Sequence, residues 1–159
     1  MEEPRQKKMA VIASKGTLDM AYPPFILATT AAALGWEVQI FFTFYGLQLL
    51  RKNLKHIKIS PLANPAMPMP VPMPVLLGSM PGMQSMATTM MKQKIKKHGV
   101  ASLEDLRTMC LEADVKMIAC QMTIDLFEFK KSEFIEGIDY GGAASFLEFA
   151  GEADVSLFI

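Results

Sequence analysis

The sequence predicts an α/β protein, a three-layer α/β/α arrangement around a mainly parallel sheet of about five strands. Three observations predict it. Short, continuous apolar runs recur along the chain, which is how strands buried on both faces of a parallel sheet read. They alternate with longer segments of helical spacing, joined by short connections that suit right-handed crossovers. The chain has 159 residues, 51% of them hydrophobic, enough for one domain over 1–159 with a real core.

The first run, Met9-Ala10-Val11-Ile12-Ala13, follows two lysines and reads as a buried strand. Ser14-Lys15-Gly16-Thr17 is a polar loop at its carboxyl end. A helix over Ala21 to Leu34 is expected next, with Pro23 and Pro24 in its first turn, where proline is tolerated, and Gly35 as its stop. Glu37 to Phe42 reads as the second strand and Tyr45 to Lys52 as a short helix. Between Pro61 and Pro74 the chain holds six prolines interleaved with methionines. Alternate prolines remove backbone donors, so this cannot be a central strand. It reads as an apolar insertion at about 61–82, a covering loop or an interface or membrane-touching flap.

Met83, Met86 or Ala87, Met90, Met91 and Ile95 share helical spacing and predict a helix over Met80 to His98. Lys92, Lys94, Lys96 and Lys97 crowd its last turns, where they complement the helix dipole; they form a solvated face or dock an acidic partner. Gly99 ends the helix. Ser102 and Asp105 have capping-box spacing. Leu103, Leu106, Cys110 and Ala113 form the stripe behind them, so Cys110 reads as core. Val115 to Cys120 is the next strand. Asp125 and Glu128 make a second capping pair, or the helix starts near Thr123. Ser132 caps a short helix through Ile138, Gly141-Gly142 opens a helix of small residues, and Val155 to Ile159 is the terminal strand. The fifth strand is expected from Ile57-Lys58-Ile59 or Val75-Leu76-Leu77.

Sixteen basic residues balance sixteen acidic ones. No overall field favours nucleic acid or an anionic membrane. Two cysteines make no disulfide framework, and with no signal-peptide pattern the expected compartment is the cytoplasm. No apolar window is long enough for a membrane span. His56 and His98 have no metal-ligand spacing with cysteine. Gly-x-Ser-x-Gly, Cys-x-x-Cys and nucleotide fingerprints are all missing. No cofactor or metal is implied.

What remains is Cys120. A thiol there sits at the carboxyl end of a buried strand, the edge where open α/β sheets bind ligands. A following helix start favours the thiolate, the nucleophilic form. The alternative is a small buried hydrophobe. Lys15, Gly16 and Thr17 lie on a loop at the same edge and are candidate pocket residues with Gln121, Met122 and Thr123. The residues leave open a single-cysteine chemistry, a ligand site without catalysis, or a structural role.

Several stretches carry a resemblance. Gly99 to Leu106, Val115 to Thr123, Phe134 to Ile138 with Gly141-Gly142, and Val155 to Ile159 resemble the DsrE/DsrF-like family, in its peroxiredoxin-like, sulfur-carrier-related branch. The resemblance spans nearly the whole chain and is most specific around Cys120. It implies an α/β fold with a parallel sheet between helix layers, and a homo-oligomer. It also implies sulfur relay through a cysteine persulfide or thiosulfonate, with a TusA-like carrier or a rhodanese as partner. The family cysteine maps onto Cys120. Phe127-Glu128 departs from the pattern, standing where many relatives have Met-Gly.

Two functions are therefore expected to compete. In one, Cys120 takes up sulfane sulfur or thiosulfonate and passes it to a partner thiol. In the other, the Met/Pro-rich flap binds a protein or membrane surface and Cys120 is inert.

Overall fold

The computed structural model describes residues 5–61, 70–71 and 74–159. Five strands form one sheet: β1 (Lys8–Ala13), β2 (Glu37–Phe42), β3 (Lys116–Cys120), β4 (Asp139–Gly141) and β5 (Val155–Phe158). Their order is β4-β3-β2-β1-β5, and every pairing is parallel. All five strands thus end at one edge, where the connecting loops gather.

Period-two alternation divides the sheet's side chains between two cores. Met9, Val11, Ala13, Val38, Ile40, Phe42, Met117 and Ala119 face the larger core. It is covered by α1 (Leu18–Ala33) and α4 (Leu103–Glu112), through Leu18, Phe25, Ala28, Leu106 and Cys110. Ala10, Phe41, Ile118 and Cys120 face a smaller one with Phe146 and Phe149, both on α6 (Ala143–Ala150). Phe41 stacks on Phe146 with ring centroids 5.1 Å apart. One short helix covers this second face, and Leu147 on that helix and Phe158 on β5 stay exposed.

Several elements differ from expectation for local reasons. The fifth strand is Asp139–Gly141. Ile57 and Ile59 are buried but belong to no strand, and Val75–Gly78 is a short helix, α2, with no buried residue. The segment after Ser132 is a 3-10 turn, Lys131–Glu133, and not a helix through Ile138. Gly137 there adopts φ 79°, and Phe134 forms an antiparallel bridge with Arg51. Helix α1 begins at Leu18, whose N–H donates to the Lys58 carbonyl at 2.8 Å; Pro23 and Pro24 therefore lie beyond its first turn. Phe44–Leu50 is a 3-10 helix.

Helix α3 spans Met83–Lys97, because Gly82 before it holds φ 87°. Its packed side centres on Thr88, flanked by Gln84, Ala87, Met91 and Ile95, while Met86 and Met90 face outward. The Ser102–Asp105 capping box forms as expected, each side chain bonded to the other's backbone N–H at 3.1 and 3.2 Å. Ala113 is the exposed C-cap of α4 and not part of its buried stripe. The readings made for 62–69 and 72–73 in the Met/Pro-rich segment lie outside the described residues.

Candidate functional site

Cys120 is the last residue of β3 and the N-cap of α5 (Gln121–Leu126). The expected Asp125–Glu128 cap does not form. The helix starts directly after the cysteine, Asp125 accepts from the Gln121 side chain at 2.8 Å, and Glu128 lies past the helix end. The first N–H groups of a helix have no intrahelical partner. Those of Met122 and Thr123 lower the pKa of the neighbouring Cys120 thiol, although Cys120 makes no side-chain capping hydrogen bond.

The neighbouring strand completes the surroundings. The register pairs Ala119 with Phe42 on one side and Cys120 with Gly141 on the other. It follows that Cys120 comes level with Thr43, one residue past β2. The Thr43 hydroxyl lies 3.2 Å from the Thr123 hydroxyl, and the Phe44 N–H donates to the Thr123 hydroxyl oxygen at 3.1 Å. Phe44 holds φ 45°, a left-handed conformation uncommon for an aromatic residue.

Cys120 is 4% exposed. Burial pushes its thiol up. The Thr123 hydroxyl and N–H pull it down, followed by the Thr43 hydroxyl and the Met122 N–H, and the balance falls below the ordinary thiol value. Donors aimed at a sulfur stabilise its anion. Cys110 has only burial acting on it and is pushed up to about 12. It is 0% exposed.

The six candidate pocket residues reach the same sheet edge in two groups. Lys15, Gly16 and Thr17 line a cleft of about 570 Å³ with Asp19, Met20, Tyr45, Gln48 and Ser60. Gln121, Met122 and Thr123 lie on α5 and are not part of that lining. The loop after β2 runs between the groups, with Thr43 on the cysteine side and Tyr45 on the cleft side. That loop is locked by close backbone contacts. A Cβ on Gly16 would meet the Tyr45 carbonyl, and one on Gly46 would meet the Ala13 carbonyl. Glycine is what lets these backbones approach.

Sequence reasoning missed Thr43. Its only signal is a hydroxyl directly after the apolar run of β2. Phe127 also gains a place. It stacks on Tyr45 at 6.1 Å and meets Phe44 edge-on at 6.5 Å, bracing the loop that carries Thr43. Glu128, where relatives were expected to have glycine, holds φ 55°, a conformation that glycine adopts without steric cost.

Among the described residues, no group of His, Cys, Asp and Glu could hold a metal ion. Among them also, no helix is long and apolar enough to cross a membrane.

Comparison with known proteins follows the same line. Residues 5–158 match the model of the DsrE/DsrF/DrsH-like family. The sulfur carrier protein DsrE2 of Allochromatium vinosum is 65% identical over 158 residues, covering 97% of this chain and 99% of that protein. The YrkE protein of Bacillus subtilis is 36% identical over 157 residues, covering 96% and 97%. The crystal structure of the ychN protein from E. coli superposes with a TM-score of 0.59 at 11% identity, covering 98% of this chain and 100% of that one. That last likeness bears on the fold.

Proposed function

The chain belongs to the DsrE/DsrF/DrsH-like family, and from that premise we propose that it is a sulfur-trafficking protein that carries sulfur on Cys120. The observation that carries the reading is the contrast between the two thiols. Cys110 is pushed up to about 12 by burial alone. Cys120, also buried, falls below the ordinary value because the nearby Thr123 and Thr43 hydroxyls and the Thr123 and Met122 N–H groups outweigh its burial.

The chemistry is a sulfur exchange without net oxidation. The Cys120 thiolate attacks the outer sulfur of a donor persulfide. A new S–S bond forms at Cys120, the donor's S–S bond breaks, and the donor thiolate leaves. Delivery is the same step reversed: an acceptor thiolate attacks the outer sulfur and the Cys120 thiolate departs. The thiolate is the attacking species in each direction. Lys15 and Thr17, at the cleft along the same edge, would meet the incoming partner.

The partner is a thiol protein, a TusA-like carrier or a rhodanese. Its surface chemistry has a basis in the charge pattern. Between Glu37 and Glu104 there is no acidic residue, while Arg51, Lys52, Lys55, Lys58, Lys92, Lys94, Lys96 and Lys97 fall in that interval. An acidic partner face suits this half of the chain. The protein works as a homo-oligomer in the cytoplasm. Self-association would cover Leu147 on α6 with Phe158 beside it, or Val75 and Leu76 on α2, Met80 after it, and Met86 and Met90 on α3, all exposed in one copy.

Those exposed residues of α2 and α3 also favour the second reading, an interaction module with an inert Cys120. Intact-mass measurement after incubation with polysulfide, thiosulfate or tetrathionate separates the two. The sulfur-carrier reading expects an adduct on the wild type that Cys120→Ser lacks. No adduct, or an equal adduct on both, rejects it.

A further inference from the structure

We infer that Met83, Met86 and Met90 of α3 form a thioether site for a soft monovalent cation, Cu(I), a site that makes no use of Cys120. The rotation of α3 about its own axis is fixed by bonds to the segment before it. The Ile59 N–H donates to the Thr88 hydroxyl oxygen at 3.0 Å, and the Gln84 side chain donates to the Ile59 carbonyl at 2.8 Å. Thr88 is buried, and Met91 packs on the larger core. With that side held inward, the stripe of Met83, Met86 and Met90 is turned outward. Met86 is 53% and Met90 62% exposed, and Met83 is half-buried.

The spacing brings the three sulfurs together. Positions three and four apart fall on one stripe, here within about 60° of one another around the helix. Neighbours at these spacings have Cβ atoms about 5–6 Å apart. The methionine side chain is unbranched and ends in a polarizable thioether, so Met86, in the middle, reaches the same ion as either neighbour. The residue type is itself informative. The exposed apolar residues of α3 are Met86 and Met90, whereas its inward side also uses Ala87 and Ile95. Leucine would supply the same helix propensity and a similar apolar area. What methionine adds is a sulfur lone pair.

The donor set selects the ion. Thioethers are soft, neutral ligands that favour Cu(I), while carboxylates and water suit the hard cations. No acidic residue occurs between Glu37 and Glu104, so the stripe offers no carboxylate to Mg²⁺ or Ca²⁺. Lys94 and Lys97 continue along the same stripe and repel a dication more than a monocation. Binding replaces solvent ligands by Cu–S bonds. No electron moves, and no proton leaves, because a thioether has none to lose. Affinity should therefore be flat with pH, unlike that of a thiolate or imidazole site.

The test follows the methionine methyl signals of the isotope-labelled full chain by NMR. The chain carries Cys120→Ser to remove the competing thiol. Ag(I), a soft analogue without redox chemistry, is added first, and Cu(I) kept reduced with ascorbate in a second titration. The signals of Met83, Met86 and Met90, assigned through single leucine variants, are expected to shift together along one binding curve. Its midpoint should hold between about pH 6 and pH 8, and Zn²⁺ should shift none of them. Met86→Leu keeps volume and helix propensity and is expected to weaken binding at the other two by about tenfold or more. Signals that stay still, or that move along separate curves, overturn the inference. So does a Met86→Leu variant that binds like its parent, because the stripe would then be an apolar docking face only. Saturation of Met67, Met69 and Met73, which lie outside the described residues, before the stripe responds also overturns it, as does a midpoint that follows pH. Sulfur loading of Cys120 is measured separately, so either result leaves the carrier reading where it stood.

Discussion

Cys110 and Cys120 lie on opposite faces of the same sheet. Cys110 belongs to the core under α1 and α4, and Cys120 to the core under α6. The two are free thiols in unlike surroundings. Native protein treated with an alkylating agent near neutral pH should be modified at Cys120 first. Peptide mapping checks this. Faster labelling of Cys110 would place the reactive thiol wrongly.

The buried Cys110 makes stability fall at high pH. Its folded value is raised to about 12, against about 8.5 in an unfolded chain. Below about 8.5 both states are protonated and the contribution is complete. Between about 8.5 and 12 the unfolded state has lost the proton and the native state has not. Stability then falls as pH rises, by at most about 1.4 kcal/mol per unit. Denaturant melts at pH 8 and 10 should show the loss. Cys110→Ala should flatten it, at a cost of about 1 kcal/mol for the truncated core side chain. An unchanged alkaline slope in that variant would contradict the assignment.

Gly46→Ala should destabilise strongly, because its Cβ would meet the Ala13 carbonyl, which is backbone and cannot swing away. A loss of about 1–3 kcal/mol is expected, read as a fall in the thermal midpoint, with reduced sulfur loading since Thr43 moves too. Gly142→Ala is the control. Nothing lies within 4 Å of a Cβ there, and the midpoint should hold. Equal effects at the two positions would be evidence against the loop description.

Glu128 holds φ 55°. Glu128→Gly should therefore be neutral or stabilising by up to about 1 kcal/mol, relief of strain outweighing the added freedom of the unfolded chain. Denaturant melts decide it. A clear loss of stability would mean that the Glu128 side chain contributes more than the strain costs.

Much of this was legible in the sequence. The continuous apolar runs of β1, β2 and β3 mark strands buried on both faces, the run at β5 marks an edge strand whose Phe158 is exposed, and the order of segments gives the α/β class. The Ser102–Asp105 spacing gives the start of α4. The edge strand β4 was not legible: Asp139-Tyr140-Gly141 has no apolar run, and only pairing with β3 makes it a strand. Gly137 and the Phe134 bridge to Arg51 break the helix expected after Ser132. At the site, Cys120 could be placed because it ends a strand and starts a helix. Thr43 could not, because it reaches the cysteine through strand register, which is a tertiary fact. Lys15, Gly16 and Thr17 sit at the foreseen edge, but in a cleft of their own.

On the proposed function, Cys120 both takes up and gives up sulfur. The most direct measurement loads the protein with polysulfide, removes the excess, adds a small acceptor thiol and follows the mass of the peptide containing Cys120. One or more added sulfur atoms are expected on that peptide, lost on addition of the thiol as the acceptor gains sulfur, with Cys120→Ser silent throughout. Sulfur that never appears on that peptide, or that stays when the acceptor is added, would contradict it.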